Sequence, residues 1–113
     1  MKKNILVKGS LILLLTFFFT SCSNTMDISG TWNCKDNPNS RRSGIVFTKI
    51  NKDSYTLTMP WNGGTKNLTA LVQDDGTIKA SGGIFVTIIV DKKAKELVIS
   101  HQYFCDRYVR LTN

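Results

Sequence analysis

The sequence has little of what most enzymes and metal sites need. Its 113 residues include one histidine, three cysteines and two prolines. The single histidine, His101, could form a metal site of at most three ligands together with Cys34 and Cys105. The spacing of these residues along the chain does not match that of zinc sites. No serine lies in a nucleophile elbow, and Asp74 and Asp75 precede a glycine, as in turns. We therefore expect no catalytic residues, no metal and no other cofactor, and we expect His101 on a strand surface.

The sequence also lacks a long apolar run and a basic strip. The longest nearly apolar run, residues 11–19, covers about nine residues, whereas a helix that crosses a bilayer needs roughly 20. Three lysines, Lys2, Lys3 and Lys8, precede this run, and without them the formal net charge falls from +7 to +4. No stretch interleaves basic and aromatic residues, so we do not expect nucleic-acid binding.

The first residues follow the pattern of a secretory signal, with a basic start, a short apolar run and small residues before the cleavage site. The tetrapeptide Phe19-Thr20-Ser21-Cys22 resembles the lipobox of bacterial lipoproteins, with phenylalanine where leucine is usual. The resemblance implies that residues 1–21 are removed, that Cys22 is acylated and that residues 22–27 form a tether. Serine rather than aspartate follows the cysteine, which implies the outer membrane, on either face. The alternative is a secreted protein with an incidental cysteine.

Two cysteines remain once Cys22 is assigned to the lipid anchor. In an oxidising compartment Cys34 and Cys105 are expected to form a disulfide, the alternative being two free buried thiols. The bridge would close a loop of about 70 residues and contribute about 4 kcal/mol in the chain-entropy model. That contribution matters because residues 28–113 form a single small domain with a modest core.

The mature sequence reads as a series of short strands without a helical period. Turn signals rich in Asn, Asp and Gly recur at about ten-residue spacing, which is typical of an all-β meander. The run from Ile84 to Val90 is nearly all apolar, which predicts a strand that is central or covered by the first loop. We predict a small antiparallel up-and-down barrel or a strongly curled meander of eight strands: 28–34, 44–50, 54–60, 66–73, 77–81, 84–90, 96–101 and 103–111.

The two cysteines also suggest how the sheet closes. Closure removes the exposed edges of a sheet. If the first and last strands pair antiparallel with Cys34 opposite Cys105, Trp32 faces Arg107 and the guanidinium stacks on the indole. A bulge in the last strand would instead bring Arg110 over Trp32.

The tripeptide Gly30-Thr31-Trp32, together with an arginine in the last strand, resembles the calycin superfamily, which includes the lipocalins. The resemblance implies a barrel closed by Gly30, Trp32 and Arg107 or Arg110, although the domain is shorter than a lipocalin. In lipocalins the first loop, here residues 35–43, lies over the barrel mouth. In addition to this barrel-closing motif, we predict a candidate binding rim that consists of Arg41, Arg42 and Trp61.

Two functions agree with these features. The first is a lipid-anchored, non-catalytic, lipocalin-like binding module in the envelope, held to the membrane by its acyl chains, with a small apolar ligand. The alternative is a protein-interaction module, such as an inhibitor of a hydrolase, by analogy with lysozyme-inhibiting lipoproteins. An eight-stranded barrel holds side chains or one small ligand. Because the strands are short, we expect the interior to be mostly filled.

Overall fold

A computed structural model of the protein describes residues 26–111. The predicted signal peptide and the acylation of Cys22 lie outside the described residues. Eight β-strands form one closed antiparallel barrel in sequence order, which confirms the predicted fold class. The strands are β1 (Gly30–Cys34), β2 (Ile45–Asn51), β3 (Ser54–Trp61), β4 (Gly64–Val72), β5 (Ile78–Ser81), β6 (Phe85–Asp91), β7 (Glu96–Ile99) and β8 (Arg107–Arg110).

The strands form where apolar and polar residues alternate. In β3, Tyr55, Leu57 and Met59 are buried, whereas Thr56 and Thr58 between them are partly exposed. Successive side chains of a strand point to opposite faces of the sheet, so one face of β3 lines the barrel interior. The same alternation on the other strands produces a single core.

Side chains fill the barrel interior. The buried apolar residues include large ones with less than 2% of their surface exposed, such as Trp32, Tyr55, Tyr108 and Phe47. An eight-stranded barrel has an interior just wide enough to be filled by side chains. The core therefore stabilises the barrel in the way that a solid globular interior does, and Met26, just before the barrel, packs against it.

Strand β6 was expected to be central or covered by the first loop. It is central, since it pairs with β5 on one side and β7 on the other. Val86 and Ile88 point into the core, but Phe85 and Ile89 on the outer face are 84% and 51% exposed, so the first loop does not cover them. An antiparallel sheet can face water on one side even where its sequence is apolar.

Strands β1 and β8 close the barrel in a register different from the predicted one. Trp32 pairs with Arg110 and Cys34 pairs with Tyr108, so the last strand is shifted by three residues from a pairing of Cys34 with Cys105. The cause lies before β8, where the amide of Phe104 donates to the carbonyl of His101 at 3.0 Å and forms a turn. This turn uses residues that were assigned to the last strand.

The shift decides which arginine covers the tryptophan. An odd shift moves every side chain of a strand to the opposite face, so Arg107 points outward and the prediction that it stacks on Trp32 was wrong. The guanidinium of Arg110 lies 4.7 Å from the centre of the Trp32 ring. Gly30 begins the tripeptide that ends at Trp32. It has φ +119°, a conformation that glycine adopts readily.

The predicted disulfide between Cys34 and Cys105 is confirmed, with the two Cα atoms 5.8 Å apart. Cys105 lies in the connection before β8 rather than in the strand. A disulfide needs only a suitable separation of the Cα atoms, normally 4.4–6.8 Å. The bridge therefore joins β1 to the loop that enters β8.

The up-and-down order gives the barrel two distinct ends. We call one end the mouth. It carries the β1–β2 loop (residues 35–44), the β3–β4 turn, the β5–β6 turn and the β7–β8 loop (residues 100–106). The opposite end, the base, carries the other three turns and the chain that enters β1. The N-terminal approach to the barrel and the mouth therefore lie at opposite ends.

At the base, the chain before β1 is held against the barrel. Arg110 donates to the carbonyls of Ser29 and Asp27, both at 2.6 Å. The Asp27 carboxylate accepts from the amide of Ser29 at 2.9 Å and pairs with Lys49 at 3.3 Å. The hydrogen bonds from Ser29, with a smaller contribution from Lys49, lower the pKa of Asp27 to about 2.

Candidate functional site

The structure brings together the three residues that the sequence assigned to a binding rim. Arg41 and Arg42 on the β1–β2 loop and Trp61 at the end of β3 line one cleft at the mouth, with a volume of about 760 Å³. The cleft lies outside the packed interior. Its remaining lining residues are Pro60, Asn62, Gly63, Gly64 and Tyr103.

The β3–β4 turn forms the first wall of this mouth cleft. Asn62 has φ +47° and Gly63 has φ +81°, and the strand register resumes with Trp61 opposite Gly64. Positive φ at both central residues is the two-residue hairpin turn that an Asn-Gly pair favours. The tight turn places the partly buried Trp61 in the last pair of the β3–β4 ladder, at the end of the barrel.

Trp61 is held between an aromatic residue and a cation. The Tyr103 ring lies edge-to-face with it, with the two ring centres 4.9 Å apart. The ammonium of Lys66 lies over the indole, 5.1 Å from the ring centre. Aromatic pairs and cation–π contacts of this kind each contribute about 0.5–1.5 kcal/mol, so the indole has a defined orientation in the cleft.

The β1–β2 loop forms the second wall and is ordered by its own serines. The Ser43 hydroxyl accepts from the amide of Cys34 at 2.8 Å, and the Ser40 hydroxyl accepts from the amide of Arg42 at 3.1 Å. Such local side-chain bonds replace a regular ladder in turns. The backbone of the loop is thereby fixed, while the side chains of Arg41 and Arg42 are exposed.

The β7–β8 loop forms the third wall. Phe104 is buried, His101 packs edge-to-face against it with ring centres 5.6 Å apart, and Tyr103 is 42% exposed toward the cleft. The amide of Tyr103 donates to Nδ1 of His101 at 3.2 Å. His101 therefore stabilises this loop, and its predicted place on a strand surface was wrong.

Tyr103 lines the cleft but was not predicted as part of the rim. The residue was assigned to the last strand. One signal was available, since the disulfide brings the neighbours of Cys105 close to the loop that follows Cys34. The turn at residues 101–104 decides that Tyr103 points to Trp61.

Two crosslinks join the second and third walls. The first is the Cys34–Cys105 disulfide. The second is the hydroxyl of buried Tyr108, which accepts from the amide of Cys105 at 3.0 Å and donates to the carbonyl of Arg42 at 2.8 Å. Burial raises the pKa of Tyr108, so the hydroxyl keeps its proton as a donor. The walls are therefore held in place without a ligand.

The mouth cleft is positively charged. Among residues 26–111 no aspartate or glutamate lines it, whereas Arg41, Arg42 and the nearby Lys66 supply cations. A smaller neighbouring cleft of about 390 Å³ shares the two arginines and is also lined by Asp36, Asp106 and Arg107. The charge of the larger cleft suits an anionic group.

Arg107 belongs to a separate ion-pair group on the outer face of the barrel. Its guanidinium lies 2.8 Å from Glu96 and 3.2 Å from Asp91, and Lys35 lies 2.8 Å from the other oxygen of Glu96. Hydrogen bonds from Lys35 and then Arg107 lower the pKa of Glu96. The group connects β7, β8 and the first loop.

Across residues 26–111 no group of three or more His, Cys, Asp or Glu side chains is placed to hold a metal ion. Asp75 accepts from the amide and the hydroxyl of Thr77, which lowers its pKa and stabilises a turn. Buried side-chain nitrogen and oxygen atoms in this part of the chain all have hydrogen-bond partners.

Comparison of the chain with protein-family models, curated proteins and solved structures found no match. In the described range, no helix is long and apolar enough to span a membrane. The fold and the site therefore define a class by structure alone, a small closed eight-stranded barrel with a packed interior and a preformed cationic cleft at its mouth.

Proposed function

We propose that the protein is a lipid-anchored, non-catalytic binding module of a bacterial envelope, and that it binds a partner protein at the mouth cleft. The observation that carries this proposal is a cleft with two of its walls joined by two crosslinks, on a barrel whose interior is packed. Arg, Trp and Tyr are the residue types that dominate the energy of protein interfaces. All three line the cleft, as Arg41, Arg42, Trp61 and Tyr103.

A small apolar ligand inside the barrel has less support. Ligand sites of that type are largely apolar cavities of about 300–1,000 Å³, and the inward side chains of this barrel already contact one another in a continuous core. The cleft at the mouth has a volume in that range, but it is open and lined by charged residues. A binding surface outside the barrel fits these features better.

The lipid anchor is supported by the sequence that ends at Cys22. The chain enters β1 at the base, so an acylated Cys22 would attach the protein at the end opposite the cleft. Two or more acyl chains give stable membrane attachment. The mouth would then point away from the membrane, where a partner can reach it.

The partner proposal is tested by affinity capture with a soluble fragment, residues 22–113 with Cys22→Ser. Envelope extracts are passed over the wild-type fragment, over Trp61→Ala and over Leu71→Ala. The last is a matched control because Leu71 is a 49% exposed apolar residue of β4 that does not line the cleft. We expect a protein retained by the wild type and the control but lost from Trp61→Ala, and retention by all three would overturn the cleft as the binding site.

The internal-ligand alternative is tested by titration with Nile red, an uncharged apolar dye. We expect no saturable binding to the soluble fragment. Saturable binding that Trp61→Ala leaves unchanged would indicate an internal site and contradict the proposal. Acylation is tested separately by mass spectrometry of the full chain expressed in a bacterium, with Cys22→Ala as the control.

A further inference from the structure

We infer that the mouth cleft recognises an acidic peptide segment, with carboxylates bound by Arg41 and Arg42 and a neighbouring apolar side chain placed against Trp61 and Tyr103. This inference rests on the proposed function, because it names the chemistry of the partner at the same cleft. It predicts which part of a partner protein enters the site.

The four arginines of the sequence differ in whether the fold uses their side chains. Arg107 pairs with two carboxylates, and Arg110 covers Trp32 and donates to two carbonyls. Within residues 26–111 the side chains of Arg41 and Arg42 have no such partner. The two arginines that serve the fold are satisfied by it, and the two at the cleft remain available to a ligand.

The backbone of Arg42, which carries one of these two side chains, is ordered by hydrogen bonds. The carbonyl of Arg42 accepts from buried Tyr108, and its amide donates to Ser40. A site that is ordered before binding loses less conformational entropy when the ligand arrives. The guanidinium is a planar fork that matches the two oxygens of a carboxylate.

The surroundings of Trp61 favour a peptide over a sugar as the ligand. A sugar ring would need an open face of the indole for stacking, but Lys66 lies over the Trp61 ring and Tyr103 meets it edge-to-face. Trp61 is also partly buried against the core. What remains is an apolar contact surface beside two cations, which suits an aliphatic or aromatic side chain next to an acidic residue.

Binding is measured by fluorescence anisotropy with a labelled octapeptide that alternates glutamate and phenylalanine, on the soluble fragment defined above. The comparison peptide replaces each glutamate by glutamine. We expect the acidic peptide to bind at least about tenfold more tightly than the glutamine peptide, and its affinity to fall as the salt concentration rises. Equal affinity of the two peptides would overturn the inference.

The variant pair is Arg41→Gln with Arg42→Gln in one chain, and the matched control is Lys52→Gln with Lys93→Gln, which removes two exposed cations of the base. We expect the arginine double variant to weaken binding of the acidic peptide by about tenfold or more, since charge-assisted hydrogen bonds are among the stronger ones. The lysine control should change it by less than about twofold. A similar loss in both would indicate attraction by net charge alone and contradict a specific site.

A sulfated heparin oligosaccharide and inorganic phosphate serve as competitors. Tight binding of the oligosaccharide with no binding of the acidic peptide would overturn the inference in favour of an anionic glycan. If affinity capture yields a partner that depends on Trp61 but not on Arg41 and Arg42, the proposed function stands and the acidic-segment inference fails. If no captured partner depends on Trp61 and the peptide still binds through both arginines, the inference about the cleft chemistry stands and the proposed function fails.

Discussion

The guanidinium of Arg110 lies 4.7 Å from the centre of the Trp32 ring, in the strand pair that closes the barrel. The same guanidinium donates to the carbonyls of Ser29 and Asp27, while the indole NH donates to the carbonyl of Ile28 at 2.9 Å. One side chain on β8 therefore holds both the tryptophan of β1 and the chain that leads into it. This contact closes the base of the barrel.

Replacing Arg110 by lysine tests that role. Lysine keeps the charge but cannot make the two-pronged contact or stack in the same way, so we expect Arg110→Lys to lower the free energy of unfolding by about 1–3 kcal/mol. Urea unfolding of the soluble fragment measures it. The control, Arg41→Lys at an exposed position, should stay within about 0.5 kcal/mol of wild type. Equal stability of all three proteins would refute a closing role for Arg110.

Removing the disulfide should destabilise the fold without changing its topology. The bridge spans a sequence separation of 71 residues, for which the chain-entropy model gives about 4 kcal/mol. We expect the double variant Cys34→Ala/Cys105→Ala to unfold at a lower urea concentration than wild type. Adding a thiol reductant should lower the midpoint of wild type toward that of the variant. No effect of the reductant on wild type would contradict the prediction.

Removing the hydroxyl of Tyr108 should loosen the two walls that it joins. Tyr108→Phe loses one hydrogen bond to each loop, at Cys105 and at Arg42, and we expect a stability loss of about 1–2 kcal/mol. Hydrogen exchange of the Cys105 amide should become faster. Tyr103→Phe is the control, because the Tyr103 hydroxyl has no hydrogen-bond partner in residues 26–111. Unchanged exchange in Tyr108→Phe would show that the disulfide alone holds the loops.

Acid should weaken the contact of Asp27 at the base. The folded pKa of Asp27 is about 2, below its usual value of 3.8, so its contribution to stability is present above about pH 4 and is lost as the pH falls toward 2. The side chain is 53% exposed, and solvent screening limits the effect to less than about 1 kcal/mol. We expect Asp27→Asn to be slightly less stable than wild type at pH 7.

Urea unfolding at several pH values measures this difference between wild type and Asp27→Asn. The difference should shrink between pH 4 and pH 2. The control is Asp53→Asn, because the Asp53 carboxylate makes no hydrogen bond or ion pair in the part of the chain that the structure describes. A gap between wild type and Asp27→Asn that stays constant down to pH 2 would contradict the assigned pKa.

Much of the barrel was predictable because its signals are local. The alternation of apolar and polar residues in β3 matches the inward positions of Tyr55, Leu57 and Met59, and the Asn62-Gly63 pair matches the turn that follows. Side-chain direction in a strand has a period of two, and turn residues act over a few positions. Only one pair of cysteines remained once Cys22 was assigned to the predicted lipid anchor, which made the disulfide predictable as well.

The candidate site was predictable only in part. Arg41, Arg42 and Trp61 were selected because they stood near a loop and a strand end, and the fold brings them to one cleft. Tyr103 was missed because its role depends on the turn that precedes Cys105. The sequence also did not determine which residues of β6 point inward and which point outward. In this run Phe85, Val86, Ile88 and Ile89 are all apolar, so apolar and polar residues do not alternate.

By itself the amino-acid order determined how many strands form, where most of them turn and which two thiols meet, because these features depend on neighbours along the chain or on a choice among few partners. The tertiary structure decided the closing register, and with it the choice of Arg110 rather than Arg107 over Trp32. That register depends on the residues used by the β7–β8 loop and on the fit of all eight strands around the barrel. All eight strands must satisfy this fit together, so no local pattern in the sequence determines the closing register.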